Sequence, residues 1–152
     1  MNRLLGLAIL GCWTASCAPS DTPDTPAIYT VVDDTIPAPL TGKTGDPDRG
    51  QAIFQDRETG HCVLCHQIEG LPAEFQGDVG PDLTFVAERL SPEQIRLRIV
   101  DYGQVLADVT MPSYYRIHDL HQVGREFEDQ TVLTADQIED LVAFLSEQKE
   151  EE

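Results

Sequence analysis

The chain has 152 residues and a formal net charge of −17. This composition excludes nucleic-acid binding, because ten Lys and Arg residues are too few to neutralise a phosphate backbone. The length suits one domain with additional sequence at its ends, and a hydrophobic content of 41% is ordinary for a soluble globular protein. An acidic surface would instead attract basic patches on partner proteins.

Residues 1–17 have the form of an export signal, in which a basic start is followed by the apolar run Leu4 to Leu10. The run is too short to span a bilayer. Cys12 and Cys17 each end a sequence that resembles a lipoprotein cleavage site. We favour lipid attachment at Cys17, because it gives the more usual signal length, with an ordinary cleaved signal as the alternative. We therefore predict an exported, periplasmic protein whose only membrane contact is a lipid anchor.

Two segments separate this signal from the domain. Residues 18–27 are rich in Pro, Ser, Thr and Asp and predict a flexible tether. Residues 28–43 mix apolar side chains with acids, and prolines at 37 and 39 argue against a central strand or a helix. We predict an extended arm that lies across the folded domain or a partner. Residues 44–148 then form the domain, and residues 149–152 form a solvated acidic tail.

Three helices are predicted, with no competing strand pattern, so the fold class is mostly α. Asp46-Pro47 is a helix start, an N-cap followed by proline in the first turn, and we expect Gly60 to end that helix. Gly50 would permit a close backbone approach.

The second and third helices each begin with a capping box. Ser91 to Gln94 opens one, which Gly103 should stop, and Thr134 to Gln137 opens the other. Apolar side chains then recur at helical spacing. Those predicted to face the core are Ile95, Leu97, Ile99 and Val100 in the second helix, and Ile138, Leu141, Val142, Phe144 and Leu145 in the third.

Residues 62–66, Cys-Val-Leu-Cys-His, form a C-x-x-C-H haem-attachment motif. Thiols three positions apart can form thioethers with the two vinyl groups of one haem, and the adjacent His66 can then ligate the iron. A thioredoxin-like site would need a βαβ context, which the pattern does not predict. A zinc site would need a further ligand, and no other cysteine lies in the domain. We therefore predict one covalent haem c at Cys62 and Cys65.

Met111 is the predicted second axial ligand. It precedes Pro112, and a residue before proline favours an extended backbone, so its thioether can project from a loop toward the iron. A core gap-filler is the alternative role for this methionine. His118 and His121 are rival ligand candidates, whereas His61 directly precedes Cys62 and cannot easily reach the opposite haem face.

The arrangement resembles monohaem class I cytochromes c, in which a Gly-Pro-x-Leu sequence lies on the histidine side of the haem. The matching residues here run from Gly80 to Leu83. The resemblance implies that the Pro81 carbonyl accepts a hydrogen bond from His66 and orients its ring. It also implies that the first and last helices pair, with Gly50 and Phe54 contacting Leu141 and Phe144.

A narrower resemblance is to the SoxX family, the small monohaem subunits of the SoxAX thiosulfate-oxidising cytochromes. It extends from about Tyr29 to Leu145, and its most distinctive element is Met-Pro-Ser-Tyr-Tyr at residues 111–115. The other matching stretches are residues 36–42, 80–83, 97–101 and 133–135.

This resemblance implies a heterodimer with a SoxA partner, which carries the L-cysteine S-thiosulfotransferase chemistry by coupling thiosulfate to a cysteine of the SoxY-SoxZ carrier. The present chain would pass the released electrons to a soluble cytochrome c and would not itself be catalytic. With both axial positions filled by His66 and Met111, the iron would have no open position for a substrate.

Two alternative functions remain open at this point. A free-standing electron shuttle would gain little from an apolar arm, whereas an obligate subunit can bury the arm in an interface. A thiol oxidoreductase would require Cys62 and Cys65 to be free of haem.

Overall fold

The computed structural model describes residues 26–121 and 123–150. The predicted signal, with Cys12 and Cys17, and nearly all of the predicted tether lie outside the described residues. The described residues form three α-helices: α1, Pro47–Gln55; α2, Pro92–Asp101; and α3, Ala135–Ser146. Single 3₁₀ turns lie at Cys62–Leu64, Val86–Glu88, Tyr102–Gln104 and Arg125–Phe127. The described residues contain no β-strand and a single isolated bridge, Val32 with Thr35. The prediction of a mostly α fold is confirmed.

The start of α1 is as predicted, but its end is not. The Asp46 carboxylate accepts hydrogen bonds from the amides of Asp48 and Arg49, and Pro47 is the first helical residue. The helix ends at Gln55, so the prediction that Gly60 ends it is wrong. Asp56 leaves the helical conformation, and its carboxylate accepts from the Glu58 amide at 2.8 Å and the Thr59 hydroxyl at 2.7 Å. This local turn competes with the helix and ends it.

Both capping boxes are confirmed. Ser91 and Gln94 bond each other's backbone amides at the start of α2, and Thr134 and Gln137 do so at the start of α3. Each box satisfies amides that lack partners in the first turn of its helix. The predicted core residues are buried in both helices. Helix α2 ends at Asp101, and Gly103 lies within the 3₁₀ turn that follows.

The close packing of α1 on α3 depends on Gly50. A Cβ atom at this position would overlap the Asp140 carbonyl oxygen and lie 2.7 Å from the Phe144 Cβ. The Phe54 and Phe144 rings also meet between these two helices, tilted to each other with their centroids 5.7 Å apart. The predicted pairing of the first and last helices is therefore present, and α2 packs against the same α3.

Residues 28–43 lie across the domain of their own chain. Ile36 is 1% exposed, and its carbonyl accepts from the Arg96 guanidinium at 2.9 Å. The Leu40 amide donates to the Glu139 carboxylate at 2.9 Å. Arg96 and Glu139 are themselves buried and joined by two hydrogen bonds of 2.8 and 2.9 Å. This buried ion pair therefore holds the arm where α2 meets α3.

Among residues 26–121 and 123–150, none of the helices has the length and apolar character needed to cross a membrane.

Candidate functional site

The Cys-Val-Leu-Cys-His motif follows a sharp change of backbone direction at His61, which adopts the left-handed conformation with φ of 58°. Cys62–Leu64 then form one 3₁₀ turn, and the amide of His66 donates to the Cys62 carbonyl at 2.9 Å. A downstream loop supports the motif through two backbone hydrogen bonds, from Gly77 to Val63 at 2.9 Å and from Gly80 to Cys65 at 2.8 Å. The motif is thus held by its own 3₁₀ turn and by the downstream loop.

Gly80 and Pro81 set the orientation of the His66 imidazole ring. Nδ1 of His66 lies 2.8 Å from the Pro81 carbonyl oxygen. A carbonyl can only accept, so the proton of a neutral imidazole resides on Nδ1, and Nε2 keeps the lone pair that binds a metal. A Cβ at Gly80 would overlap the imidazole ring. The glycine therefore lets the ring lie directly against the backbone.

An apolar pocket brings together Cys62, His66 and Met111 from the sequence-predicted site. Each helix contributes to its wall, and so do the loops between them. The remaining lining residues are Phe54, Leu83, Ile99, Tyr114, Leu133, Leu141 and Leu145. The pocket thus places one imidazole and one thioether on a common apolar cavity, next to a cysteine of the motif.

The other candidate residues lie elsewhere. His118 and His121 are exposed, and neither lines the pocket. His61 is half-buried and does not line it either. Cys65 is half-buried and precedes His66 directly, outside the residues that line the cavity. Of the four candidates for the second axial position, Met111 is the one on the pocket wall.

The ionisation of the pocket groups argues against thiol chemistry. Burial raises the pKa of the Cys62 thiol to about 12. Burial, reinforced by the nearby charges of Cys62 and Cys65, also raises the pKa of Tyr114. A redox-active cysteine instead needs a lowered pKa, because the thiolate is the nucleophile. The folded chain therefore does not activate Cys62 as a thiol oxidoreductase would.

The residues present fit a haem group. Apolar side chains from all three helices line the pocket, and an oriented imidazole and a soft thioether are donors suited to haem iron. Within the ranges that the structure describes, there is no cluster of three or more His, Cys, Asp or Glu side chains able to hold a metal ion without a cofactor.

Comparisons with known proteins agree with this geometry. Residues 47–149 match the model of the family described as cytochrome c. A chain in the crystal structure of SoxXA from P. pantotrophus is 32% identical, with a TM-score of 0.75 over 85% of this chain and 100% of its own. This chain belongs to the cytochrome c family, and within it to the SoxX type. It is an electron-transfer protein with a covalently bound haem c.

Another solved structure has a lower similarity. The c-type cytochrome SorU from Sinorhizobium meliloti is 22% identical, with a TM-score of 0.43 over 67% of this chain and 88% of its own. No curated protein sequence gave a significant match.

One pocket residue, Tyr114, and one residue that contacts the Met111 loop, Asp101, have no role predicted from the sequence. Tyr114 lines the pocket and is 6% exposed. Its position three residues after Met111, in a loop already assigned to the site, is a sequence signal that would indicate a place in the pocket. Asp101 is 1% exposed and accepts a hydrogen bond from Ser113 at 2.7 Å. An aspartate at the end of an amphipathic helix gives no sign of burial, so its partner could be found only from the structure.

Proposed function

We propose that this SoxX-type cytochrome is the electron-transfer subunit of a complex with a SoxA-like partner. The observation that carries the proposal is the pocket, in which His66 and Met111 are the donor side chains beside Cys62. Similarity to a chain of SoxXA over that chain's entire length supports a partner of the SoxA type.

Each site residue then has a role. Cys62 and Cys65 would hold the haem through thioether bonds, and His66 and Met111 would be the side chains that bind its iron. Pro81 holds the proton on Nδ1 of His66 through the 2.8 Å contact, which fixes the ring and raises its basicity as a ligand. When bound, the haem supplies a one-electron iron couple. The apolar walls of the pocket would exclude water around the group, and ligation by both His66 and Met111 would leave no position on the iron for substrate.

The chemistry of the complex is assigned to the partner. A SoxA-like subunit would couple thiosulfate to a cysteine of a SoxY-SoxZ carrier, and the present chain would pass the electrons to a soluble cytochrome c. The surface beside the motif is suited to a protein contact, because Leu64, Phe75 and Val79 are 40%, 69% and 73% exposed. The −17 charge of the chain would favour partners with basic contact surfaces.

The location of the protein is part of the proposal. The signal-like residues 1–17 support export to the periplasm, with lipid attachment at Cys17 as the favoured form.

One experiment tests both ligation and partnership. The chain is co-expressed with haem-maturation machinery and a SoxA-like partner, then purified by a tag on this chain. Met111→Ala is compared with the wild type and with the matched control His118→Ala. We expect co-purification and a methionine-to-iron charge-transfer band that is lost in Met111→Ala and retained in His118→Ala. Absence of the band from the wild type would reject Met111 as the ligand and make His118 or His121 the candidate.

A free-standing electron shuttle is the second candidate, because the arm does not argue against it. Residues 28–43 were expected to be buried in a partner interface if the chain is a subunit, yet they are anchored on their own domain by Arg96 and Glu139. The arm therefore does not distinguish the two functions. A haem-loaded chain that purifies without the SoxA-like partner would reject the subunit and leave the shuttle.

A further inference from the structure

The loop that carries Met111 has few attachments of its own. Upstream, the last backbone hydrogen bond runs from Leu106 to Tyr102 at 3.1 Å, and the next one downstream runs from Tyr114 to Ile99 at 3.2 Å. Among hydrogen bonds between described residues, residues 107–113 make one, from the Ser113 hydroxyl to the Asp101 carboxylate at 2.7 Å. The position of the Met111 loop therefore depends strongly on this contact.

Asp101 is not placed where it would stabilise its own helix. It is the last residue of α2, and the helix macrodipole disfavours a negative charge at this end. Its side chain is also 1% exposed, so it is almost completely desolvated. Both features cost stability, which makes a role in helix formation an unsatisfactory explanation for this carboxylate.

The carboxylate instead joins three segments. One oxygen accepts from Ser113, two residues after Met111. The other accepts from the side-chain Nε2 of Gln104 at 3.1 Å and lies 3.6 Å from the Arg116 guanidinium. Arg116 follows Tyr115, whose amide donates to Val100 at 3.3 Å. The carboxylate thus fixes the loop at Ser113 and again just beyond the pocket residue Tyr114.

We propose that Asp101 is a positioning residue for the axial methionine and acts through the Ser113 hydroxyl. The proposal rests on the proposed ligation by Met111. A thioether on an unattached loop would lose conformational freedom each time it bound the iron, whereas a loop already held at Ser113 presents it with less entropic cost. The hydrogen bond therefore favours the ligated state over one in which Met111 has moved away.

Displacement of Met111 by an added ligand measures this effect directly. Imidazole is titrated into the haem-loaded ferric full-length chain, and its apparent affinity reports the fraction of molecules in which Met111 is off the iron. The variants are Ser113→Ala, which removes the hydroxyl, and Ser113→Thr, which keeps it. Ser146→Ala is the matched control, because it removes a serine hydrogen bond of 2.6 Å to the Val142 carbonyl in α3.

We expect Ser113→Ala to bind imidazole about tenfold more tightly than the wild type, the size expected for one hydrogen bond to a charged group. Ser113→Thr should restore the wild-type affinity, and Ser146→Ala should leave it unchanged even if it lowers the free energy of unfolding. Equal affinities for Ser113→Ala and Ser146→Ala, with the methionine charge-transfer band present in the wild type, would overturn the positioning role alone. Absence of that band from the wild type would overturn the ligation and the positioning role together.

Discussion

Replacement of Arg96 by methionine tests whether the buried Arg96–Glu139 ion pair anchors the arm in addition to joining α2 to α3. Arg96→Met removes two hydrogen bonds to Glu139 and one to the Ile36 carbonyl, of 2.8, 2.9 and 2.9 Å. The Arg96 and Glu139 side chains are 5% and 2% exposed, so Glu139 would remain as a buried charge without its cation. Removing one partner of such a pair costs about 3–5 kcal/mol of the free energy of unfolding.

The double variant Arg96→Met/Glu139→Leu separates the two roles. Replacing a whole buried ion pair by apolar side chains is often neutral. Here the Ile36 carbonyl and the Leu40 amide would also lose their partners, at about 1–3 kcal/mol for each buried group left unpaired. We therefore expect the double variant to stay about 2–6 kcal/mol less stable than the wild type.

Urea unfolding of the haem-loaded protein, followed by far-ultraviolet circular dichroism, measures these free energies. Trypsin cleavage after Lys43 reports release of the arm in the same samples. Asp136→Asn is the control, because its pair with Lys43 spans 3.8 Å between side chains that are 67% and 74% exposed and should contribute less than about 1 kcal/mol. A double variant as stable as the wild type, with unchanged cleavage, would refute the idea that the ion pair anchors the arm.

Two further predictions concern the contact of α1 with α3. Gly50→Ala should cost more than about 3 kcal/mol in urea unfolding, because its Cβ overlaps the Asp140 carbonyl and helices must separate to admit it; a cost near that of an ordinary exposed helix position would contradict the packing. Burial favours a raised pKa for Asp140, but hydrogen bonds from the Arg49 guanidinium and the Asp46 amide outweigh it and lower the pKa. Because this pKa is lower in the folded than in the unfolded state, its stabilisation is present above about pH 4 and is lost as the pH falls through the folded value. Asp140→Asn should therefore flatten the acid limb of unfolding stability between about pH 4 and pH 2, whereas an unchanged limb would show that the pair is not coupled to folding.

Local sequence signals predicted the helix starts well. Capping boxes and an Asp-Pro start act over three or four residues, so their outcome does not depend on distant parts of the chain. The end of α1 is less predictable, because Gly60 resembles a stop signal, whereas the helix ends earlier, at the Asx-type turn of Asp56. Gly60 instead lies close to the backbone of Ile53.

The buried charges could not be predicted in the same way. Arg96 and Glu139 are 43 positions apart, and each looks like a solvent-facing residue within its own helix. Their burial results from the docking of α2, α3 and the arm, which no periodicity within one segment can show. The haem motif and Met111 can be recognised in the sequence because cysteine, histidine and methionine in this arrangement are typical of haem binding.

The anchoring of the arm also has a consequence for the order in which the fold can close. Leu40 is held by Glu139, 99 positions later, so this end of the arm cannot dock until the last helix is in place. Until then the motif lies in an unclosed chain, in which α3 does not yet cover the pocket beside Cys62. The long-range closure thus keeps the motif open to cofactor attachment until the last helix docks.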